Sequence, residues 1–334
     1  MSRSFHELSL FIPTPLDITT IMIHAYRKIR FRNEIKHLNS WRLPTIRLKS
    51  SKNKFNRQED SWVSPLLYGI IFCWGLLSIL FGFLDLQISL LLVNPQSKWA
   101  RWIADYGEIP GILMIITSLV ILNRFQASSR TKQNILLSLG IFILTTIMTY
   151  VYVAMIGSNL GLSLVYEYYF PPIIVICVIL IQLLLKKVNV SFSQDKLNFA
   201  LLTIFLAIFN PLVFVGLTKR LWGRVRFKDL TPDHSNYTPW FIPQGINGHE
   251  SFPSGHAAMG WMLLPLFLFT RKKSWNVQTL VGCVIFVWGV IVALGRIVIG
   301  AHYASDVLFS TCVAIVGYLF LYKRIYYRPY LQKT

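Results

Sequence analysis

Two histidines and an aspartate in the C-terminal third of the chain have the residue types of a nucleophilic or acid–base site. His256 follows a Pro-Ser-Gly turn and opens an apolar segment. His302 stands four residues before Asp306, a spacing that stacks two side chains on a helix and lets the carboxylate accept a proton from the imidazole. A nucleophile needs an orienting partner, which favours His302, and a leaving group needs a proton donor, which favours His256.

Three cations in the same part of the chain have the charge and the donors to hold an anion. Lys219 and Arg226 are seven residues apart, so on a helix they share one face, and Arg296 precedes the histidine–aspartate pair. Such side chains suit phosphate oxygens. The hydroxyl of Ser254 and the amide of Gly255, at a helix N-terminus, would add two donors. With one histidine on each side of a cradled phosphoryl group, this set predicts in-line phosphoryl transfer.

The composition is that of a polytopic membrane protein. Of the 334 residues, 54% are hydrophobic and only 14% are charged, with a mean hydropathy of +0.51, whereas soluble proteins carry about a quarter charged residues. We expect an all-α membrane helix bundle, because backbone polar groups inside lipid must bond within their own segment. Eight apolar stretches predict about eight transmembrane helices, at 63–84, 108–123, 134–156, 171–185, 198–218, 256–270, 279–294 and 304–322.

The distribution of basic residues predicts the orientation of the chain. With the N-terminal tail in the cytoplasm, the loops 124–133, 186–197 and 271–278 are cytoplasmic and rich in Lys and Arg, whereas the outer loop 157–170 has neither. This pattern obeys the positive-inside rule and leaves both termini in the cytoplasm. The net charge of +19 is therefore assigned to topology and anionic lipid rather than to nucleic acid. A bacterial inner membrane is the expected location.

Two outer segments depart from the positive-inside rule. Residues 97–111, SKWARWIADYGEIPG, predict an interfacial helix with a tryptophan belt. Residues 218–229 place five cations on the outer face, where they oppose the topology, so an anionic ligand is their simplest explanation. Those cations are Lys219, Arg220, Arg224, Arg226 and Lys228. The residues 238–245, TPWFIPQG, are expected either to cap the site or to rest on the bilayer surface.

The chain divides into three predicted parts. Residues 1–61 form a basic cytoplasmic tail, in which 17–38 predict either an amphipathic helix on the membrane surface or part of a disordered tail or targeting peptide. Residues 62–322 form the membrane-embedded domain. Residues 323–334 form a short basic cytoplasmic C-terminus.

A metal site is not expected, and the cysteines do not indicate the redox context. The four cysteines lie in apolar runs without a CxxC spacing, which predicts buried free thiols; they are Cys73, Cys177, Cys283 and Cys312. A metal site would have to be built from His249, His256, His302 and Asp306, and three nearby cations would repel a divalent ion there. His234 and His249 are interpreted as loop residues or substrate contacts.

The three segments with this chemistry resemble the three-part signature of the type 2 phosphatidic acid phosphatase family. That signature reads KxxxxxxRP, then PSGH, then SRxxxxxHxxxD. Here the parts run from Lys219 to Arg226, across Pro253-Ser254-Gly255-His256, and from Arg296 through His302 to Asp306, in the same order and with the same spacings. The resemblance extends over about residues 62–322. Phe227 stands where the family has proline, and Gly295 where it has serine.

The resemblance implies a role for each matched residue. His302 attacks phosphorus and becomes a phosphohistidine, while Asp306 holds it in the right tautomer. His256 protonates the leaving group and later activates water. The phosphate is held by Lys219, Arg226, Arg296, Ser254 and Gly255, and no metal or cofactor is required. The family has a six-helix core, so eight spans imply an additional pair, expected among 134–185.

The function expected from these residues is hydrolysis of a lipid phosphomonoester or diphosphate at the outer face of the membrane. Phosphatidic acid, phosphatidylglycerol phosphate and undecaprenyl diphosphate are the substrates considered. A lipid phosphotransferase is an open alternative, because an acceptor alcohol can replace water on the phosphohistidine. A non-catalytic phospholipid transporter would explain the cations but not the two histidines. A related soluble haloperoxidase is disfavoured by the eight apolar spans. The oligomeric state is left open.

Overall fold

The computed structural model of the chain describes residues 63–127, 132–159 and 193–327, with a few isolated positions between 172 and 180. Within these ranges every regular element is helical, which confirms the predicted all-α fold. The predicted basic tail, most of the span 171–185 and the residues from 328 onward lie outside the described part of the chain.

Ten α-helices are found in the described ranges. In chain order they are α1 (Val63–Leu92), α2 (Lys98–Tyr106), α3 (Ile109–Ala127), α4 (Lys132–Asn159), α5 (Gln194–Ala207), α6 (Gly216–Trp222), α7 (Gly255–Gly260), α8 (Phe267–Thr270), α9 (Trp275–Val298) and α10 (Ala304–Tyr322). A π-helical stretch joins α5 to α6, and a 3-10 stretch joins α7 to α8.

Six helical segments of the described chain are long and apolar enough to cross a membrane, so the protein is a multi-pass membrane protein. They are Val63–Leu92, Lys98–Phe125, Ile135–Ala154, Gln194–Asp229, Trp275–Val298 and Ala304–Ile325. Each contains most of one predicted span. The predicted span 256–270 is present as the shorter apolar segment Gly255–Thr270. At 1.5 Å per residue it is roughly 24 Å long, less than the ~30 Å hydrocarbon core.

The chain reverses sharply after α6, and this turn directs the basic segment towards the last helix. Gly223 ends the helix with a φ of 61°, in the left-handed region that glycine adopts readily. A Cβ on this residue would lie 2.0 Å from the carbonyl oxygen of Gly245. Only glycine therefore fits where the long loop 228–252 crosses the end of α6. The next residue, Arg224, is buried against α1 and α10.

Helices α1, α7, α9 and α10 converge near one end of the bundle. A buried apolar cluster joins Ala257 of α7, Ile297 of α9, and Ala304 and Val307 of α10, with Phe81 and Ile88 of α1 packed against it. Close van der Waals packing of these side chains contributes to holding the four helices together. The residues with candidate catalytic chemistry extend from these ends.

The amphipathic helix α2 confirms the helix predicted within 97–111. Its Trp99 and Trp102 are exposed, whereas Ala100 and Ile103 are buried against α9. A Cβ on Gly295 of α9 would lie 2.8 Å from Cγ2 of Ile103. The glycine that replaces the family's serine therefore allows α2 to approach α9 closely.

Candidate active site

His302 lies just before α10 and is almost fully buried. Because the helix begins at Ala304, the expectation that His302 and Asp306 stack on one helix is wrong. The Nδ1 atom of His302 is 2.6 Å from the carbonyl oxygen of Ser251 and 3.5 Å from Oδ2 of Asp306. Both neighbours are acceptors, so the proton belongs on Nδ1, and Nε2 keeps its lone pair. Burial lowers the pKa of His302 to about 4, which keeps the imidazole neutral at physiological pH.

Asp306 is fully buried in the first turn of α10 and accepts several hydrogen bonds. Its Oδ2 accepts from the hydroxyl of Ser251 at 2.6 Å and from the backbone N–H of Tyr303 at 2.9 Å. Ser251 thus contacts both residues, with its carbonyl on His302 and its hydroxyl on Asp306. Asp306 therefore orients His302 in three ways: through Ser251, through the backbone N–H of Tyr303, and through its own 3.5 Å contact with Nδ1.

Arg224 forms an ion-pair network with two aspartates, one from each end of the described chain. One Nη atom is 2.6 Å from Asp306, and the other is 2.9 Å from Asp85 in α1. Asp85 also accepts from the backbone N–H and the hydroxyl of Ser305. The guanidinium carbon lies 4.0 Å from the ring centroid of Tyr303, a cation–π contact. Arg224 therefore serves the structure of the site rather than an outer anion, although the sequence grouped it with the ligand-facing cations.

His256 lies in the first turn of α7 and is partly exposed, unlike His302. Its Nδ1 is 2.9 Å from Oε1 of Glu108, in the turn between α2 and α3, and its Nε2 is 3.1 Å from the carbonyl oxygen of Ala104. Both ring nitrogens thus face acceptors, which suits the proton-donating form of a histidine. Glu108 was not predicted to be part of the site.

Lys219, Arg226 and Arg296 lie near one another, but the expectation that Lys219 and Arg226 share one face of a helix is wrong, because α6 ends at Trp222 and Arg226 follows Gly223 in extended backbone. Lys219 interacts electrostatically with both arginines, and these interact with each other. The Nε atoms of Arg226 and Arg296 are buried and have no hydrogen-bond partner among the described residues. Mutual repulsion and unbonded buried donors both disfavour this arrangement unless an anion binds there. Lys219 and Arg296 also act electrostatically on His302, which places the cations beside the candidate nucleophile.

Ser254 and Gly255 begin α7. The backbone N–H of Ser254 donates to the carbonyl of Asp306 at 3.1 Å, which ties this turn to the start of α10. The Ser254 hydroxyl accepts from the backbone N–H of Ala257 at 3.3 Å, as an N-cap residue does. Ser254 is fully buried, and its proton is available to an acceptor in the site.

Phe227, in place of the family's proline, is held by aromatic contacts. Its ring lies edge-on to Tyr303, with centroids 6.3 Å apart, and stacks on His234 at 6.0 Å. The next residue, Lys228, donates its backbone N–H to the carbonyl of Gly300 at 3.0 Å. These contacts supply the rigidity after Arg226 that the proline ring would otherwise provide.

Several other predicted residues lie away from the reacting groups. In the long loop 228–252, Trp240 donates to the backbone of α1 at Ser78, and Phe241 and Ile242 are exposed. Cys312 is a buried free thiol as predicted, but Cys73 and Cys283 are exposed, because apolar runs in a bundle present one face outward. Cys177 lies outside the described residues.

Within the described ranges no three His, Cys, Asp or Glu side chains are grouped as metal ligands.

Residues 200–330 match the family model of the PAP2 superfamily. This part of the chain is similar to the PAP2 superfamily. The match covers every residue of the three-part signature, so the resemblance to the type 2 phosphatidic acid phosphatases is confirmed. The PAP2 region does not include α1 to α3, which contribute Asp85, Ala104 and Glu108 to the site.

Two curated relatives support a lipid phosphatase. Both are named lipid A 1-phosphatase, one from Rhizobium etli and one from Rhizobium johnstonii, and each is 33% identical over 126 residues. The alignments cover 33% of this chain and 48% and 46% of the two relatives. The chain thus spans about half the length of the curated relatives it matches. No solved structure matches the chain.

The residues that sequence reasoning missed are those whose partners are distant in the chain. Asp85 and Glu108 both stand next to or within apolar stretches, where a carboxylate is rare and usually functional, so a signal was present. Ser251 carries no such signal, because its backbone carbonyl makes the closest contact with His302.

Proposed function

We propose that this protein is an integral-membrane lipid phosphatase that removes a phosphoryl group from a lipid through a phosphohistidine on His302. The arrangement of His302 carries the proposal. Its Nδ1 faces acceptors, its Nε2 keeps a lone pair, and two of the three cations with phosphate-binding chemistry, Lys219 and Arg296, act electrostatically on it. A buried neutral imidazole next to fixed positive charge is suited to attack a bound phosphoryl group.

The proposed reaction has two steps. His302 Nε2 forms a bond to phosphorus while the bond to the lipid oxygen breaks, and His256 gives a proton to that oxygen. A water molecule then attacks the phosphohistidine, and His256 takes a proton from it, which releases phosphate and restores both histidines. Lys219, Arg226, Arg296 and Ser254, with the amide of Gly255, would hold the phosphoryl oxygens in both steps. Side chains and backbone donors supply all of these groups, without a metal or cofactor.

The substrate class is a phosphorylated lipid reached from the membrane. The names of the two relatives make lipid A 1-phosphate a substrate to test beside phosphatidic acid, phosphatidylglycerol phosphate and undecaprenyl diphosphate. The positive-inside pattern supports a site on the outer face of a bacterial inner membrane with both termini in the cytoplasm.

The test is phosphate release by the purified full chain in nanodiscs, with each of these four lipids. Wild type should release phosphate from at least one of them, and His302→Asn and His256→Ala should lose activity by at least about 10²-fold. Asp233→Asn is the control, because this exposed residue belongs to no part of the signature. Activity that survives both active-site substitutions would exclude the mechanism.

Two measurements separate this function from its alternatives. Rapid quenching with a lipid carrying a radioactive phosphoryl group should trap an acid-labile label on wild type but not on His302→Asn. A labelled acceptor lipid that gains phosphate faster than water does would identify a phosphotransferase instead. Binding or transport of the lipids with no phosphate release in wild type would identify a transporter.

A further inference from the structure

We infer that Glu108 is a positioning residue for His256, holding this histidine as the proton donor and acceptor of the reaction. The inference rests on the proposed phosphatase function. The carboxylate oxygen Oε1 of Glu108 lies 2.9 Å from Nδ1 of His256, and the carbonyl of Ala104 lies 3.1 Å from Nε2. Ala104 lies in α2 and Glu108 in the turn between α2 and α3, and both are outside the region matched to the PAP2 superfamily.

The chemistry of this pair is that of a carboxylate orienting an imidazole. With its Nδ1–H donated to Glu108, the ring is held in one orientation, and the positive charge that it carries before proton donation is stabilised. The Nε2–H is then the proton available to the substrate. It would turn its hydrogen bond from the Ala104 carbonyl to the leaving oxygen, and it would pass from Nε2 to that oxygen as the bond between phosphorus and oxygen breaks. In the second step Nε2 takes a proton from the attacking water, while Nδ1–H stays on Glu108.

The position of Glu108 within the charges of the site supports a role of this kind. The carboxylate lies in the electrostatic field of Arg296 and Lys219, yet its hydrogen bond is made to His256. A negative charge near a phosphate pocket opposes anion binding through Coulomb repulsion. This cost is offset if the carboxylate supports the step in which a proton leaves the histidine.

The backbone is built to bring this turn against α7. A Cβ on Gly111, in the first turn of α3, would lie 2.4 Å from the carbonyl oxygen of Met259. On the other side Gly295 admits Ile103 of α2, as described above. Glycines at both contacts let α2 and α3 approach closely enough for Glu108 to reach His256.

A comparison of leaving groups tests the inference, because a good leaving group needs no proton. The substrates are an alkyl phosphate and a nitrophenyl phosphate that carry the same alkyl chain. The phosphorylation step is followed in single turnovers with excess full-length protein in detergent. Glu108→Gln should lower the rate of phosphorylation by the alkyl phosphate about 10- to 100-fold, with little change in KM. The rate of phosphorylation by the nitrophenyl phosphate should fall by far less. Asp233→Asn, an exposed carboxylate-to-amide change, is the matched control and should leave both rates unchanged.

Two further variants keep the test decisive. In a His256→Ala background, Glu108→Gln should add no further loss, because a positioning residue has nothing left to position. Glu108→Asp retains the charge and should keep a higher rate with the alkyl phosphate than Glu108→Gln does. It also provides a test if Glu108→Gln folds poorly. Equal losses with both leaving groups, or independent losses in the double variant, would overturn the inference. Absence of phosphate release by wild type from both substrates would instead refute the proposed function.

Discussion

The guanidinium of Arg224 donates to the carboxylate of Asp306 over 2.6 Å, in a place where both side chains are almost completely excluded from solvent. Its other Nη atom reaches Asp85 in α1. One arginine thus joins α1 and α10 to the segment after α6, immediately behind the candidate nucleophile. Because Asp306 is held by Arg224 and by Ser251, its position relative to His302 depends on residues from three parts of the chain.

Arg224→Met is expected to lower the free energy of unfolding by about 3–5 kcal/mol, because it leaves two buried carboxylates without their shared cation. Thermal unfolding in detergent measures the change. Lys272→Met is the control, since Lys272 is 3.7 Å from Asp195 in an exposed ion pair and should cost at most about 1 kcal/mol. Equal effects of the two substitutions would show that the buried network does not contribute as described.

The buried position of His302 predicts a pH dependence of stability. Its folded-state pKa of about 4 lies below the unfolded value of about 6.5. Between these values the unfolded chain binds a proton that the folded chain does not, so stability falls as the pH drops from about 6.5 to about 4, by up to ~3 kcal/mol. Above pH 6.5 this contribution is constant. The difference in unfolding free energy between wild type and His302→Gln should shrink across that window, and a difference independent of pH would contradict the prediction.

The same pKa predicts the acid limb of activity. The pH profile of kcat/KM reports ionisations of the free enzyme. If His302 is the nucleophile, its neutral form persists down to about pH 4. After correction for ionisation of the substrate, phosphohistidine formation should therefore lose half its rate near pH 4. A limb near 6.5 would show that His302 is not held in the neutral form by burial.

Gly295→Ser restores the family's residue and is nevertheless expected to destabilise this protein. The added Cβ would lie 2.8 Å from Ile103, and overpacking of this kind costs about 1–3 kcal/mol. Shortening the opposing side chain should relieve it, so Gly295→Ser combined with Ile103→Ala should be less destabilised than the sum of the single changes. Thermal unfolding of the three variants tests this, and simple additivity would count against close packing of α2 on α9.

The cations of the site are expected to set the affinity for inorganic phosphate. Arg226→Met or Arg296→Met should weaken inhibition by phosphate by about 10-fold or more, because hydrogen bonds to charged groups contribute about 1.5–3 kcal/mol each. Arg220→Met is the matched control, since Arg220 is exposed beside Lys219 on α6. The measurement is the inhibition constant of phosphate in the lipid phosphatase assay. Equal weakening by Arg220→Met would indicate a diffuse effect of surface charge rather than a pocket.

Sequence reasoning was most successful where local chemistry decides the outcome. Apolar runs predicted helices because the bilayer leaves no other partner for the backbone, and six of the predicted spans are helices of sufficient length. The spacing of Lys219 and Arg226, and of Arg296 and His302, placed candidate ligands near helix ends. The structure brings these ends together, with unbonded guanidinium Nε atoms beside the buried histidine.

Contacts between distant segments were decided only by packing. Asp85 meets Ser305 across 220 positions of sequence, and Glu108 meets His256 from a helix turn outside the matched region. No local period encodes such pairs, since they depend on how closely two helices approach, which here depends on glycines such as Gly111 and Gly295. For the same reason the sequence assigned His302 to Asp306 alone, whereas the fold also provides the carbonyl of Ser251. Residue types and spacing thus establish which chemistry is available, and tertiary packing selects the partners that orient it.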